Sequence, residues 1–489
     1  MSAAGAPRTT ASRMERLFTF FHTDGCELQA VQPLADELRA RGLAVRFSED
    51  LDEPVDVGIY CQHAVKPQAR FAVIMLHDLA QRHDIWPAFW AHEPWHRFDI
   101  GLVPGSAWAD RWQSQRDDGR AHPRLGVFEA GWPKSDLVWK SRDAFAEATT
   151  ALRASLQLPH AQTVLYAPSW ENHGKQDDFV RRLIDLPVNL LLKQAPWPPA
   201  YGWVLDNIAQ MDALHRGIAP HVRVVDRDVS IMHCIGVSDL LVSDESSVLI
   251  EASLHGVPSV AVVDWPIPDC DPPRMASVPF DHVRKIGRAD LRATVEEILA
   301  DPAAATAQAH ALRAAHFGTL GHSARLCADI LLAGLRGETP PIVPLGGQAD
   351  RQRLADLGQS RRAEDLIRAG RADVGVALLS TLAAEGTACW EVYNLLGVFA
   401  HRHGDTPTAL HMLQLACAQP TATAAPWKNL AAVQAAGNLP AAALASYGRA
   451  LRLAPDDAEA IDGLGDVLAG GRCLTPAIWH QLVADLRQR

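Results

Sequence analysis

The sequence predicts an α/β protein: two consecutive Rossmann-like halves facing one cleft, followed by an all-α array of helical repeats. Three observations carry this expectation. Short apolar, β-branched-rich runs alternate with helical stretches between residues 17 and 263, the pattern of βαβ units and a parallel sheet. The chain has 489 residues, enough for about three domains. Beyond a Pro/Gly cluster at 337–347 (GETPPIVPLGG), the composition turns Ala/Leu-rich and repeats every 34 residues.

Taken in order, residues 1–13 are small and polar and are expected to fray. The run 17–21 (LFTFF) reads as a buried strand, with Thr-Asp-Gly as its turn. A helix is predicted over about 27–41, with Leu28, Val31, Leu34, Ala35 and Leu38 on one face and Gly42 as its stop. Segments 44–47, 55–60 and 71–76 read as further strands. A second alternating set follows at 164–167, 188–193, 222–225, 240–243 and 259–263, and 291–335 reads as helices that close this half. The predicted domains are therefore 14–155, 156–336, a linker at 337–355, and helical repeats at 356–489.

Within the last region Gly397, Ala409, Leu413 and Ala416 recur as Ala431, Ala443, Tyr447 and Ala450. Tyr393 and Leu396 recur as Trp427 and Leu430, Pro455 closes the second unit, and a third begins at Ile461, Leu464 and Gly465. A degenerate earlier unit is expected over 363–382. Small residues where two helices touch, with large ones between, resemble tetratricopeptide repeats. That resemblance implies a protein partner for this region rather than catalysis.

Composition narrows the function. Hydrophobic residues make up 48% and charged residues 21%, which excludes a disordered or rod-like chain. Net charge is −11 with no long basic run, which argues against a nucleic-acid partner, since phosphate neutralisation needs a basic surface. The eight cysteines lie no closer than 28 residues apart, so no CxxC pair exists and reduced, mostly buried thiols are expected. No signal-peptide pattern and no run of 18 apolar residues occurs. The expected location is cytoplasmic, with peripheral attachment at the inner membrane face left open.

The sharpest site candidate is 239–251 (DLLVSDESSVLIE). A strand ends at Ser243, and Asp244-Glu245-Ser246-Ser247 turn into a predicted helix. Two hydroxyls and free helix amides beyond a strand's carboxyl end suit a phosphate or pyrophosphate. Glu251 sits where a carboxylate could hold ribose hydroxyls. The alternative is that Ser246 or Ser247 is only a helix N-cap. His77, at the end of a predicted strand, is placed to take a proton from a hydroxyl, with a satisfied loop histidine as the plain alternative. His92-Glu93-Pro94-Trp95-His96 has the letters of HExxH, but Pro94 disrupts the single helix face that zinc ligation needs. GxGxxG and GxxxxGK[ST] are absent, so dinucleotide redox chemistry and P-loop hydrolysis are not expected. No cofactor and no metal enters the reading.

Four segments in order resemble the CDP-glycerol glycerophosphotransferase family of teichoic-acid and capsule-polymer synthesis. Leu76-His77-Asp78-Leu79 stands where that family has Trp-His-Gly-Thr. Gly131-Trp132-Pro133-Lys134-Ser135-Asp136 resembles Gly-Tyr-Pro-Arg-Asn-Asp, and Leu165-Tyr166-Ala167-Pro168-Ser169-Trp170 resembles Leu-Tyr-Ala-Pro-Thr-Trp. Ser243-Asp244-Glu245-Ser246-Ser247, with Glu251 following, resembles Thr-Asp-Tyr-Ser-Ser. The family's Lys-x-His-Pro segment stands here as Lys193-Gln194-Ala195-Pro196, without the histidine. The resemblance spans about residues 15–335 and implies a GT-B architecture with the nucleotide donor held mainly by the second half. It implies His77 as base on the acceptor hydroxyl, and Ser246, Ser247, Asp244, Glu251, Lys193, Ser169 and Lys134 as the donor-binding set. The implied partners are CDP-glycerol or a similar nucleotide-activated donor and a polymer or glycan acceptor. Residues 239–258 also resemble the donor site of sugar-nucleotide GT-B enzymes and UDP-N-acetylglucosamine 2-epimerases, which keeps a nucleotide-sugar glycosyltransferase as the alternative. A catalytically inactive scaffold that recruits partners through its repeats is the third reading, favoured by the lost histidine.

Overall fold

The structure, a computed structural model, describes residues 16–62, 64–80, 85–172 and 174–469. The N-terminal stretch expected to fray and Cys473 lie outside the described residues. One compact unit comprises the described residues up to Glu93, Ile100–Ser114 and Val127–Val343. It contains both α/β halves.

The first half is a six-stranded parallel sheet built from β1 (Leu17–Phe21), β2 (Ala44–Ser48), β3 (Val57–Tyr60), β4 (Phe71–Met75), β5 (Ile100–Val103) and β6 (Val127–Glu129), in the order β2-β1-β3-β4-β5-β6. The second is built from β7 (Thr163–Tyr166), β8 (Asn189–Lys193), β9 (Val222–Val225), β10 (Leu240–Ser243), β11 (Ser259–Val262) and β14 (Arg284–Ile286), in the order β14-β11-β10-β7-β8-β9. A two-stranded antiparallel hairpin, β12 (Pro266–Ile267) with β13 (Arg274–Met275), interrupts it in sequence. Central strands β3, β4, β7, β8 and β10 are buried along their whole length. That is why they read as continuous apolar runs rather than as alternating ones.

The strand orders fix where ligands go. In the first sheet the chain leaves β1 toward β2 on one side and returns as β3 on the other. In the second it leaves β7 toward β8 and β9, then returns as β10. Each is a topological switch point, where the loops beyond two adjacent strands diverge and leave a crevice at the carboxyl edge. The loops concerned begin at His22 and Cys61 in one half, and at Ala167 and Asp244 in the other.

Two expectations are corrected. The last helix of the predicted second half, Ser323–Arg336, packs on the first helix of the first half, Gly25–Ala40. Its amides at Ser323 and Ala324 donate to the Asp136 carboxylate at 3.1 and 2.9 Å, and Asp329 pairs with Arg41 at 2.6 Å. The linker expected at 337–355 is also half helix, because Gly347–Arg368 is helical.

The second compact unit gathers Pro94–Asp99, Gln115–Gly126 and the chain from Pro344. Its helices pack as consecutive pairs: Gly347–Arg368 with Ala372–Ala384, Trp390–Arg402 with Thr406–Cys417, and Ala424–Ala436 with Pro440–Leu453. A further helix, Ala458–Ala469, follows. The two short segments from earlier in the chain belong to this unit for a physical reason. His96 and Arg97 share the Asp365 carboxylate, each at 2.9 Å, and the backbone of His122 lies against Gly358. The HExxH letters thus fall on a four-residue helix, Phe89–His92, and a separate turn at Trp95–Arg97.

Gly358 provides a test of this packing. Alanine is the better helix former by about 1 kcal/mol, yet a Cβ at 358 would collide with the His122 carbonyl. Gly358→Ala is expected to lower unfolding stability by about 1–3 kcal/mol, as overpacking does. Chemical denaturation showing the variant to be as stable as, or more stable than, the parent would contradict the packing.

Candidate functional site

The first wall of the crevice is built at the ends of β1, β3 and β4. Asp24 caps the helix Gly25–Ala40, accepting from the amides of Cys26 and Glu27 at 2.7 and 2.9 Å. Burial pushes its carboxyl above the usual range. Glu27 is buried in the first turn, and its Oε2 accepts from the Thr23 amide (2.6 Å), the Thr23 hydroxyl (2.9 Å) and Gln62 Nε2 (2.9 Å). The loop after β4 is clamped by two indoles: Trp132 donates to the Leu76 carbonyl at 3.0 Å and Trp108 to that of Leu79 at 3.3 Å.

Between those two clamps stands His77. Its Nδ1 donates to the Cys61 carbonyl at 2.6 Å, and its Nε2 lies 3.3 Å from Asp78 Oδ2. Burial disfavours the charged ring, but the neighbouring Asp78 carboxylate, with Glu27 and the Cys61 carbonyl, outweighs it and holds the imidazole at about 9. His77 is therefore a cation at neutral pH, contrary to the near-neutral titration expected of an isolated histidine.

The second wall is built on buried ion pairs. Lys175 Nζ lies 2.8 Å from Asp244 Oδ2, with both side chains essentially inaccessible. The other Asp244 oxygen accepts from the amides of Ser169 and Glu245, each at 2.7 Å. Desolvation opposes the Asp244 charge, but Lys175 and these amides hold its carboxyl below the usual range. Asp244 is thus an organiser of the β7 and β10 loops; it does not line the cavity.

Lys134, from the first half, pairs with Glu251 of the second at 2.9 Å, both buried. The remaining Glu251 oxygen accepts from the Ser247 hydroxyl at 3.0 Å. Lys193 is also buried and donates to the carbonyls of Gln194 and Arg227 at 2.8 and 2.9 Å. With no carboxylate in those bonds, desolvation lowers its ammonium below the ordinary lysine range. Arg274, from the β12–β13 hairpin, grips Glu245 in a fork at 2.6 and 2.7 Å.

Together these loops enclose a cavity of about 630 Å³. Its lining brings together His77, Lys134, Ser169, Lys193, Ser246, Ser247 and Glu251, seven of the eight residues singled out from sequence, and leaves out Asp244. The expected helix after Ser247 is short, one α turn at Val248–Glu251 and a 3₁₀ turn at Ala252–His255. So brief an element has little macrodipole, and the positive charge at the cavity is carried by side chains instead. Sequence reasoning missed Asp24, Glu27, Gln62 and Arg274. The first three stand at the carboxyl ends of β1 and β3, so the switch-point rule could have found them; nothing in the sequence marked Arg274. Glu27, Cys61 and His77 each bring one potential ligand atom within 4.8 Å of the others, a donor set of the zinc type. Burial raises the Cys61 thiol well above its usual range, and the Glu27 and His77 atoms are already engaged as described.

No protein-family model and no curated protein matches this sequence. Among solved structures the chain is similar to the wall teichoic acid polymerase TagF, with 13% identity, a TM-score of 0.47, and 66% of this chain and 90% of that chain covered. It is also similar to S. aureus MnaA in complex with UDP (12% identity, TM-score 0.47, 68% and 100% covered). A third is the UDP-GlcNAc 2-epimerase from Neisseria meningitidis bound to UDP-GlcNAc (10% identity, TM-score 0.44, 66% and 100% covered). At such identities the chemistry has to be read from the cavity itself.

The Lys175–Asp244 pair makes a direct stability test. Lys175→Met leaves an uncompensated buried carboxylate and is expected to cost about 3–5 kcal/mol, whereas Lys175→Met/Asp244→Asn should recover most of that loss. A double-mutant cycle by denaturation with additive losses would show that the two side chains are not coupled.

Proposed function

We propose that this chain is a transferase that moves a glycerophosphate-type (polyol phosphate) group from a CDP-activated donor to a hydroxyl of a cell-surface polymer or glycan. One observation carries the reading: loops from both switch points close on one cavity, with a histidine on one wall and unspent cationic charge on the other. The acceptor oxygen attacks the donor's distal phosphorus, a new P–O bond forms, and the bond to the bridging oxygen breaks to release CMP. Lys193, whose charge no hydrogen-bonded carboxylate offsets, faces the phosphates, helped by the Ser246 hydroxyl. Lys134 contributes less, because Glu251 already neutralises it.

His77 acts as base through Nε2, since Nδ1 is committed to the Cys61 carbonyl. The acceptor hydroxyl then displaces Asp78 from Nε2, and the ring must first lose its proton. The folded pKa is raised, so the charged form prevails below about 9 and the neutral base grows in as pH rises. The helical region, read as tetratricopeptide-like, is assigned a protein partner; location at the inner membrane face fits that role, and no helix among the described residues is long and apolar enough to cross a membrane.

Two outcomes follow. Transfer from CDP-glycerol, followed as kcat/KM against pH, should rise roughly tenfold per unit from pH 7 and level off near pH 9, with the slope abolished in His77→Ala. A rate that falls across that range would assign the working form to the imidazolium. In thermal-shift titrations CDP-glycerol, CDP-ribitol or CMP should stabilise the full chain, by about 2.7 kcal/mol at a hundredfold excess over Kd. Stabilisation by UDP-sugars alone would transfer the reading to a nucleotide-sugar glycosyltransferase, and silence from every nucleotide would leave the scaffold.

A further inference from the structure

The loops after β7 and β8 carry an aromatic cluster that the transfer chemistry does not use. Trp170 and Trp197 have ring centroids 4.3 Å apart, Trp197 and Tyr201 4.8 Å, and Trp170 and Trp203 5.8 Å with their planes only 12° apart. Trp170, Trp197 and Tyr201 line the cavity. Tyr201 is 40% exposed and Trp203 46% exposed, so the rings run from the cavity wall out to solvent.

A buried polar atom lies beside them. Gln194, 2% exposed and lining the same cavity, gives both amide hydrogens to neighbours: Nε2 donates to Glu171 Oε2 at 2.8 Å and to Gln176 Oε1 at 2.7 Å. With the Glu171 carboxylate and the Gln176 carbonyl as acceptors, the amide nitrogen is turned toward them and Oε1 away. Its Oε1 is left buried with no hydrogen-bond partner among the described residues. An orphaned buried acceptor costs about 1–3 kcal/mol unless something donates to it. Because Gln194 lines the cavity, a molecule bound there can supply that donor.

We infer that these loops form a saccharide subsite: the Trp170–Trp197–Tyr201–Trp203 surface stacks against sugar rings of the acceptor, and Gln194 Oε1 accepts from a ring hydroxyl. The inference rests on the proposed function only in calling the saccharide the acceptor. Aromatic faces bind the C–H faces of sugars while a few fixed polar groups orient the hydroxyls, the usual division of labour in a small-molecule site. The extent of the platform decides between a sugar chain and a nucleobase. A base needs one ring face inside the cavity, whereas this surface continues through Trp203 into solvent, as a ligand longer than the cavity requires.

The test uses the full chain and the neutral probes cellotetraose, chitotetraose and maltotetraose, read by saturation-transfer NMR without nucleotide. At least one should bind, and Trp203→Ala should weaken it about three- to tenfold, the loss of one aromatic contact. Trp203 is half exposed, so the variant should melt with the parent; Tyr201→Ala supplies a second variant if it does not. Absence of all three contacts, or saccharide affinity unchanged in both variants, would overturn the subsite. So would variants that weaken only CMP, since the platform would then stack a base. Saccharide binding that survives while every nucleotide is silent would sink the transferase reading and leave the subsite standing.

Discussion

Lys134 and Glu251 come from different α/β halves, are buried beside the cavity, and lie 2.9 Å apart. Two charges removed from water cost several kcal/mol each, and the pair is tolerable only with good geometry and satisfied remaining valences. The Ser247 hydroxyl meets the second Glu251 oxygen, and the Trp132 ring lies 5.2 Å from the Lys134 ammonium. The 131–136 segment and the 246–251 segment are therefore fixed against each other before any ligand arrives. Because Trp132 also holds the Leu76 carbonyl, the same constraint reaches His77 through one residue. The ion pair thus links the segment that holds the His77 loop to the serine pair.

The pair also decides how charge is distributed. Lys134 is paired with Glu251, Arg274 with Glu245 and Asp269, and His77 with Asp78, whereas Lys193 donates to two backbone carbonyls. Lys193 and His77 stand on opposite walls of the cavity.

The parallel sheets were legible because mostly buried strands are rich in apolar residues: 17–21, 222–225 and 240–243 coincide with β1, β9 and β10. Strands β5, β6 and β14 were missed for opposite reasons. Gly101 interrupts the apolar run of β5, β6 is only three residues long, and Arg-Lys-Ile in β14 has the composition of a loop. The helix Ser323–Arg336 was assigned to the wrong half because periodicity reports an apolar face, not the surface it will cover; the Asp136 carboxylate that captures its amides is 187 residues away in sequence. At the site, strand ends and turn chemistry were enough to bring seven residues to one cavity. Asp244 could not be told from its neighbours, since its partner Lys175 follows a different strand. Glu27 is invisible for a related reason: a carboxylate in a first helical turn reads as an exposed dipole partner, and only the fold shows Gln62 and Thr23 enclosing it.

The segment Lys193-Gln194-Ala195-Pro196 brings one buried ammonium and one buried amide to the cavity wall. With alanine at 195 the β8 loop offers no second cation there, and its neighbouring polar side chain is Gln194. Gln194 is held by Glu171, which also accepts from Tyr166 at 2.7 Å, and by Gln176, which contacts His215. Burial lifts the Glu171 carboxyl to about 7 despite those bonds, so a charge here is weakly held. A neutral amide whose only open atom is an acceptor cannot stabilise a phosphate; it can select a hydroxyl. The loop thus places one buried cation, Lys193, and one hydrogen-bond acceptor, Gln194 Oε1, beside the aromatic rim.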